Sequence, residues 1–465
     1  MKRYSNTISA VTILSTLFFI GFAMEGYGNS SVKNEKLIRV GAASEDITPE
    51  PGVYLAGYAS RTEPSTGIRG NLFTHVLYIE KDNERLIWIV CDLLGFDYED
   101  VQVIQNILAE KYQLQPWQVV VSATHTHSAP TVQAIGSEKE TKYMNDLLYP
   151  QIFKAVDRAV GNAEDCEMIL VEGYSELAHD RRNAPVPGDG AAPNPDRSKA
   201  FVDPRVPSVA FKKLDGSFKC ILIQYAMHPT SWGDLNMGPE WPGATAISIK
   251  KSFGDSVEPF VLQGAAGNLG SPKRKATPEE MQSWGDELVA SVDEKIKSSE
   301  ASESSSFAVR HQTIRVALTV KNEQEVKEEA AEYKKIYASN LRILENTVLP
   351  WEKIQLQRLK DGTADHIDAQ VVAIRFGDHV FVTTPFETFC HLNRECRKHV
   401  SHNVHIIGYT NGVYNYFPTK DAIDQGGYEP QAYLWYFRFP CAYGALEQFA
   451  QDIAPLINST FINEE

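Results

Sequence analysis

Residues 119–130 constrain this chain more than any other stretch. Val119, Val120 and Val121 are β-branched and stiff at χ1, and they read as a buried strand. The run ends in His125-Thr126-His127, followed by small residues and Pro130. Side chains alternate along an extended backbone, so His125 and His127 are expected on one face. Two imidazoles at the C-terminal end of a strand are placed to hold a metal ion or a substrate. Taken alone, the pair reads equally well as two loop histidines without a task.

The same pattern recurs along the chain. Residues 86–91 are apolar and end at Asp92, and residues 219–227 end at His228. Residues 379–384 lead to Glu387, and residues 259–263 run into the small-residue loop from Gly264 to Gly270, followed by Ser271. Asp215-Gly216 and Gly377-Asp378 mark two hairpins. Helical periodicity covers residues 97–112 and 143–163. Thr277-Pro278-Glu279-Glu280 is a capping box with proline at the first helical position, and its helix is expected to reach about residue 297. A charged helix is expected over 323–346, with Ala330, Tyr333, Ile336 and Leu341 buried. A last helix is expected over 443–457. Strands alternating with helices predict an α/β fold, a layered mixed sheet with flanking helices and an active site at the strand C-terminal ends.

Histidines and a carboxylate at successive strand ends suit a catalytic zinc site that keeps a position for water, and iron or manganese fits the same donors. The 264–270 loop is expected either to offer backbone N–H groups to an oxyanion or to pack as a tight turn, with Ser271 a hydroxyl donor or nucleophile. The loop over 179–205 carries Arg181 and Arg182, cations suited to a polar headgroup.

Composition narrows the partners. With 45 basic and 60 acidic residues the net charge is −15, which argues against a broad nucleic-acid surface. Lys2 and Arg3 precede an apolar run over 8–24 that is short for a membrane span, so residues 1–28 read as a signal peptide and the mature chain as secreted or periplasmic. No other long apolar run suggests an integral membrane segment. The six cysteines lack CxxC spacing, so a thiolate zinc site is not expected, and Cys91 and Cys220 fall in buried runs. Residues 37–465 read as one catalytic domain with a possible hinge at 298–306.

These motifs resemble the catalytic N-terminal domain of the neutral/alkaline non-lysosomal ceramidase family. The resemblance rests on residues 41–49, on Thr124 to Pro130, on Tyr225 to Thr230, on Ala266 to Pro272 and on 408–419, in that order. It implies a zinc-dependent amidohydrolase that cleaves the N-acyl amide of a ceramide-like lipid by metal-activated water. His125, His228, Glu387 and Tyr416 match the metal ligands, and His127 matches the neighbouring active-site histidine. Arg181 matches a catalytic arginine, although Asp180 precedes it where the family has Asn. Asn268 and Tyr428 match substrate contacts. Gly270 stands where the family has its serine, and Ser271 follows one residue later. The family's C-terminal immunoglobulin-like domain is not expected. Two further readings stand beside this one: the same zinc site acting on a polysaccharide-derived or other small acylated compound, and a non-catalytic relative that binds a ligand in the cleft. The oligomeric state is left open.

Overall fold

A computed structural model describes residues 36–132, 138–189, 191–302 and 305–462; the signal-peptide stretch 1–28 lies outside the described residues. The first sheet has eight strands: β1 (Leu37–Asp46), β2 (Phe73–Lys81), β3 (Glu84–Cys91), β4 (Val119–Ala123), β5 (Glu164–Tyr174), β6 (Arg205–Lys213), β7 (Phe218–Tyr225) and β8 (Glu258–Gln263). Their order is β8-β7-β6-β5-β1-β2-β3-β4. The β3–β4 and β7–β8 pairs are parallel and the other neighbours antiparallel, so the sheet is mixed as expected. A second sheet is built from β9 (Phe307–Ala317), β10 (His366–Phe376), β11 (His379–Thr383) and β12 (Asn403–Ile407), in that order.

Alternation along the strands explains the layers. Ile38, Val40, Leu86, Trp88, Val90 and Val120 point inward and meet Val309, Ile374, Phe376 and Phe381 of the second sheet, so the two sheets pack face to face. Ile87, Ile89, Val119 and Val121 point the other way, against Val101, Ile104 and Leu108 of α1 (Tyr98–Tyr112) and Ile152 and Val156 of α2 (Tyr149–Gly161). Residues of β6 to β8 bury α3 (Glu240–Phe253) and α4 (Pro278–Ser298) in the same way. Helices α5 (Glu323–Ile336) and α6 (Leu349–Asp361) cover the second sheet through Val326, Ala330 and Trp351.

Three expectations are revised. The charged helix ends at Ile336 rather than running through 346, because Asn340 caps a new turn by accepting from Ile343 N (3.2 Å). Ile336 and Leu341 are consequently each 62% exposed. The last helix divides at Ile453, since Pro455 cannot continue the hydrogen-bond ladder. Strand β4 stops at Ala123, so strand alternation is not what aligns the two histidines after it. All six cysteines are buried free thiols. Among the described residues no helix is long and apolar enough to cross a membrane.

Candidate metal centre

Residues leaving the C-terminal ends of β4, β7 and β11 converge. The first sheet curls so that strands near its two edges approach each other: Trp88 of β3 meets Phe260 of β8 with ring centroids 5.7 Å apart, and at the strand ends Gln263 Nε2 donates to Thr124 O (3.2 Å). His125 adopts a left-handed φ of 63°, uncommon for a residue with a Cβ. That turn, rather than a pleat, brings its ring beside that of His127. Tyr409 stacks on His125 at 3.9 Å.

The three imidazoles His125, His127 and His228 are buried and present Nε2 atoms to one another. The separations are 3.1 Å from His228 to each of the others and 3.4 Å between His125 and His127. Each Nδ1 is held by a backbone carbonyl: His125 by Leu94 O (2.6 Å), His127 by Gly57 O (3.1 Å) and His228 by Ala266 O (3.1 Å). A carbonyl only accepts, so the network assigns the proton to Nδ1 in all three rings and leaves three Nε2 lone pairs facing one point. Lone pairs at this separation repel unless a cation lies among them. Donors about 2.0–2.1 Å from a tetrahedral zinc stand roughly 3.3–3.4 Å apart, close to what is found here. Glu387 supplies the fourth donor. Its Oε2 is 3.2 Å from His125 Nε2 and 3.7 Å from His228 Nε2, and it is a buried atom without a hydrogen-bond partner. The donor set fits a divalent ion, with a carbonyl orienting each histidine from behind.

Electrostatics agree. Burial, with His125 beside it and the charges of Arg61, Arg181 and Arg274, holds His127 well below its ordinary value. Burial and then Arg181 do the same for His228. Burial would raise the Glu387 carboxyl, but His125, Tyr436 and Tyr416 outweigh it and leave the carboxyl lowered, hence ionised. Tyr436 donates its hydroxyl to Glu387 Oε1.

Around this cluster the expected residues separate into two groups. Arg181, Glu387, Tyr416 and Tyr428 line the same cavity as His127 and His228, a space of about 420 Å³. Arg181 is buried, with Nη2 donating to Gly267 O (2.8 Å) and Tyr416 Oη (3.3 Å) and Nε to Glu429 Oε1 (3.0 Å). Tyr428 is 53% exposed, edge-on to Tyr416 at 5.7 Å. Asn268 and Ser271 are not on the cavity wall. Asn268 Oδ1 accepts from Cys390 N (2.9 Å), and Ser271 Oγ lies 2.8 Å from Ser231 Oγ. The 264–270 loop turns its N–H groups onto protein, Gly267 N to Thr388 O (2.8 Å) and Leu269 N to Ala266 O (3.0 Å). A Cβ at Gly267 would stand 2.9 Å from the Glu387 carbonyl carbon, so this glycine allows the loop to pass beside the metal-facing carboxylate. Sequence reasoning passed over Tyr409, Tyr436, Glu429 and the wall residues Tyr58, Arg274 and Arg342. The aromatic density of 409–436 was the one signal that pointed toward some of them.

Residues 38–238 match the profile of the family described as Neutral/alkaline non-lysosomal ceramidase, N-terminal, as the motifs suggested. No curated protein matches the chain in sequence. Two solved structures share the fold. A neutral ceramidase from Pseudomonas aeruginosa is 17% identical with a TM-score of 0.66, over 92% of this chain and 75% of that one. A structure described as ceramidase complexed with C2 is 16% identical with a TM-score of 0.67, over 91% of this chain and 75% of that one.

Proposed function

We propose that this chain, which carries the neutral/alkaline ceramidase N-terminal profile on the matching fold, is a zinc-dependent hydrolase that cleaves an N-acyl amide. The observation that carries the reading is the set of three Nε2 lone pairs and an unpartnered Glu387 oxygen beside a cavity large enough for an acylated small molecule. His125, His228, Glu387 and Tyr416 would hold the ion, and His127 is within reach of the same point. When bound, a zinc ion lowers the pKa of water to about 7 and polarises a carbonyl.

The chain's own groups do the remaining work. Tyr436 and the ionised state of Glu387 keep that carboxylate aimed at the histidines. Arg181 orients the Tyr416 hydroxyl and brings a fixed positive charge to the oxyanion that forms when the amide carbonyl is attacked. His127, kept neutral by its surroundings, is able to accept the proton of the attacking water and return it to the amine that leaves. Burial of the rings and of Arg181 excludes bulk water and strengthens each interaction. Residues 1–28 support action outside the cytoplasm, in a secreted or periplasmic setting. We place Tyr428 against the substrate, and we treat residues 37–465 as one catalytic unit.

The placement of Ser271 against Ser231, off the cavity wall, favours a second reading of the substrate: the same site acting on a small acylated compound other than ceramide. One experiment tests both. Purified full chain is given a fluorescent short-chain ceramide and a panel of N-acyl amides, with chelator and with zinc restored. Turnover that chelation abolishes and zinc restores is expected. Turnover indifferent to chelation, or zinc-loaded protein that cleaves no amide, overturns the proposal.

A further inference from the structure

The cavity carries more positive charge than amide hydrolysis requires. Arg181, Arg274 and Arg342 line it, against the carboxylates Glu387 and Glu429. Glu429 is paired with Arg181 and Arg182, and Glu387 accepts from Tyr436 while its other oxygen faces the histidines. The chain as a whole bears a net charge of −15, so a cationic wall here runs against its general character. A divalent ion among the histidines adds to the same sign.

The three arginines differ in what they have left to offer. Arg181 is committed on both sides to Glu429, Gly267 and Tyr416. Arg274 is partly engaged: its Nε lies 3.4 Å from Asp189 Oδ1, and its Nη1 donates to Thr230 O (2.7 Å) and Tyr58 Oη (3.2 Å). Arg342 has no carboxylate within ion-pair distance among the described residues. Its guanidinium rests over the Tyr54 ring at 4.3 Å, and among the described residues its one hydrogen bond runs from Nη1 to Arg61 O (3.3 Å). Glu140, the acid whose charge acts on it, directs Oε1 to Tyr54 N (2.7 Å). A guanidinium has five N–H donors in a planar fork suited to bidentate oxyanions, so most of the fork of Arg342 is unspent. The ring beneath it fixes its plane, and such a group on a cavity wall focuses an attractive field for anions.

We propose that Arg342, assisted by Arg274, is an anion subsite, and that the compound cleaved carries a carboxylate, sulfonate or phosphate in addition to its scissile amide. The substrate part of this inference rests on the hydrolase reading above; the subsite itself does not. A neutral headgroup leaves the fork of Arg342 unmatched, whereas an oxyanion completes it.

The test uses four N-octanoyl compounds that share the acyl amide and differ in the head: N-octanoylethanolamine (neutral), N-octanoylglycine (carboxylate), N-octanoyltaurine (sulfonate) and N-octanoylphosphoethanolamine (phosphate). With the zinc-loaded full chain, kcat/KM for at least one anionic member is expected to exceed that of the neutral member by about tenfold or more, the scale of one charge-assisted hydrogen bond. The member favoured identifies the anion. Arg342→Gln brings the ratio to roughly one, and Arg342→Lys, which keeps the charge but not the fork, restores part of it. A neutral compound cleaved as well as the anionic ones, or an unchanged ratio in Arg342→Gln, overturns the subsite. If none of the four is cleaved, the hydrolase reading fails separately, and calorimetric titration of octanoylglycine against octanoylethanolamine still decides. Selective anion binding that Arg342→Gln abolishes upholds the subsite; equal binding, or none, refutes it.

Discussion

Gly57 is the position where one methyl group should disturb the metal centre most cleanly. It adopts a φ of +91°, and its carbonyl accepts from His127 Nδ1 at 3.1 Å. A Cβ added there would stand 2.5 Å from His127 Cγ and 2.8 Å from His127 Cβ. Ordinary contact between such atoms is about 3.5–4.0 Å, so the imidazole must retreat by roughly 1 Å. The backbone strain of a Cβ at positive φ costs about 1–2 kcal/mol, and that part acts on folding whether or not metal is present. The retreat of the ring weakens metal binding as well. Disturbing a group just outside the ligands of a metal site costs roughly 10–100-fold in metal affinity, or about 1.4–2.8 kcal/mol. Gly57→Ala is therefore expected to lower the melting temperature of the metal-free protein modestly and to weaken zinc by at least tenfold. Competition against a chromophoric chelator measures the second effect and thermal melts with and without zinc the first. A variant that melts lower yet binds zinc as tightly as the parent would refute the claim that His127 Nε2 faces the ion.

Three further outcomes follow from buried charge and from a cap. Glu429 is the shared partner of Arg181 and Arg182, all three buried, so Glu429→Ala leaves two guanidiniums unpaired and should cost about 3–5 kcal/mol in urea melts; a loss under about 1 kcal/mol contradicts the assignment. Burial pushes Glu240 up to about 8 against the opposing Ser231 N–H and Arg61 charge, while the unfolded group ionises near 4.5. Across that window the folded state keeps a proton that the unfolded state has released, so stability falls as pH rises. In chelator, Glu240→Gln should flatten this slope between pH 5 and 8, measured by denaturant melts at each pH, and a slope that survives the substitution points to another group. Thr277 and Glu280 cap α4 reciprocally, at 3.2 Å and 2.8 Å, so Thr277→Ala is expected to lower stability by about 1 kcal/mol with zinc affinity unchanged.

What could be read beforehand was mostly local. Thr277 to Glu280 marked the start of a helix to the residue, and the periodicity over 97–112 found the helix that runs from Tyr98 to Tyr112, because caps and periodicity are settled by neighbours in sequence. Both Asp-Gly-type hairpins formed, between β6 and β7 and between β10 and β11. The histidines and Glu387 were found as strand-end residues and do meet. The reason they meet was not visible: a left-handed turn at His125 and the facing of two sheets depend on contacts between residues hundreds of positions apart, such as Ser122 with Thr410 (2.8 Å). For the same reason Tyr436 on Glu387 and Tyr409 on His125 could not be singled out from an aromatic-rich stretch. Ser271 shows the limit in the other direction. Its motif marked it for the site, while its hydroxyl is spent on Ser231. Leu341 looked buried only while one helix was assumed to continue through Asn340.

The central claim is that His125, His228 and Glu387 hold one divalent ion, with the Nε2 of His127 facing the same point. X-ray absorption at the zinc edge of the zinc-loaded full chain tests it most directly. The expected spectrum has a shell of nitrogen and oxygen at about 2.0–2.1 Å, with outer scattering from two or three imidazoles that falls by one in His228→Ala. A sulfur shell at about 2.3 Å, scattering from fewer than two imidazoles, or a spectrum that His228→Ala leaves unchanged would contradict it.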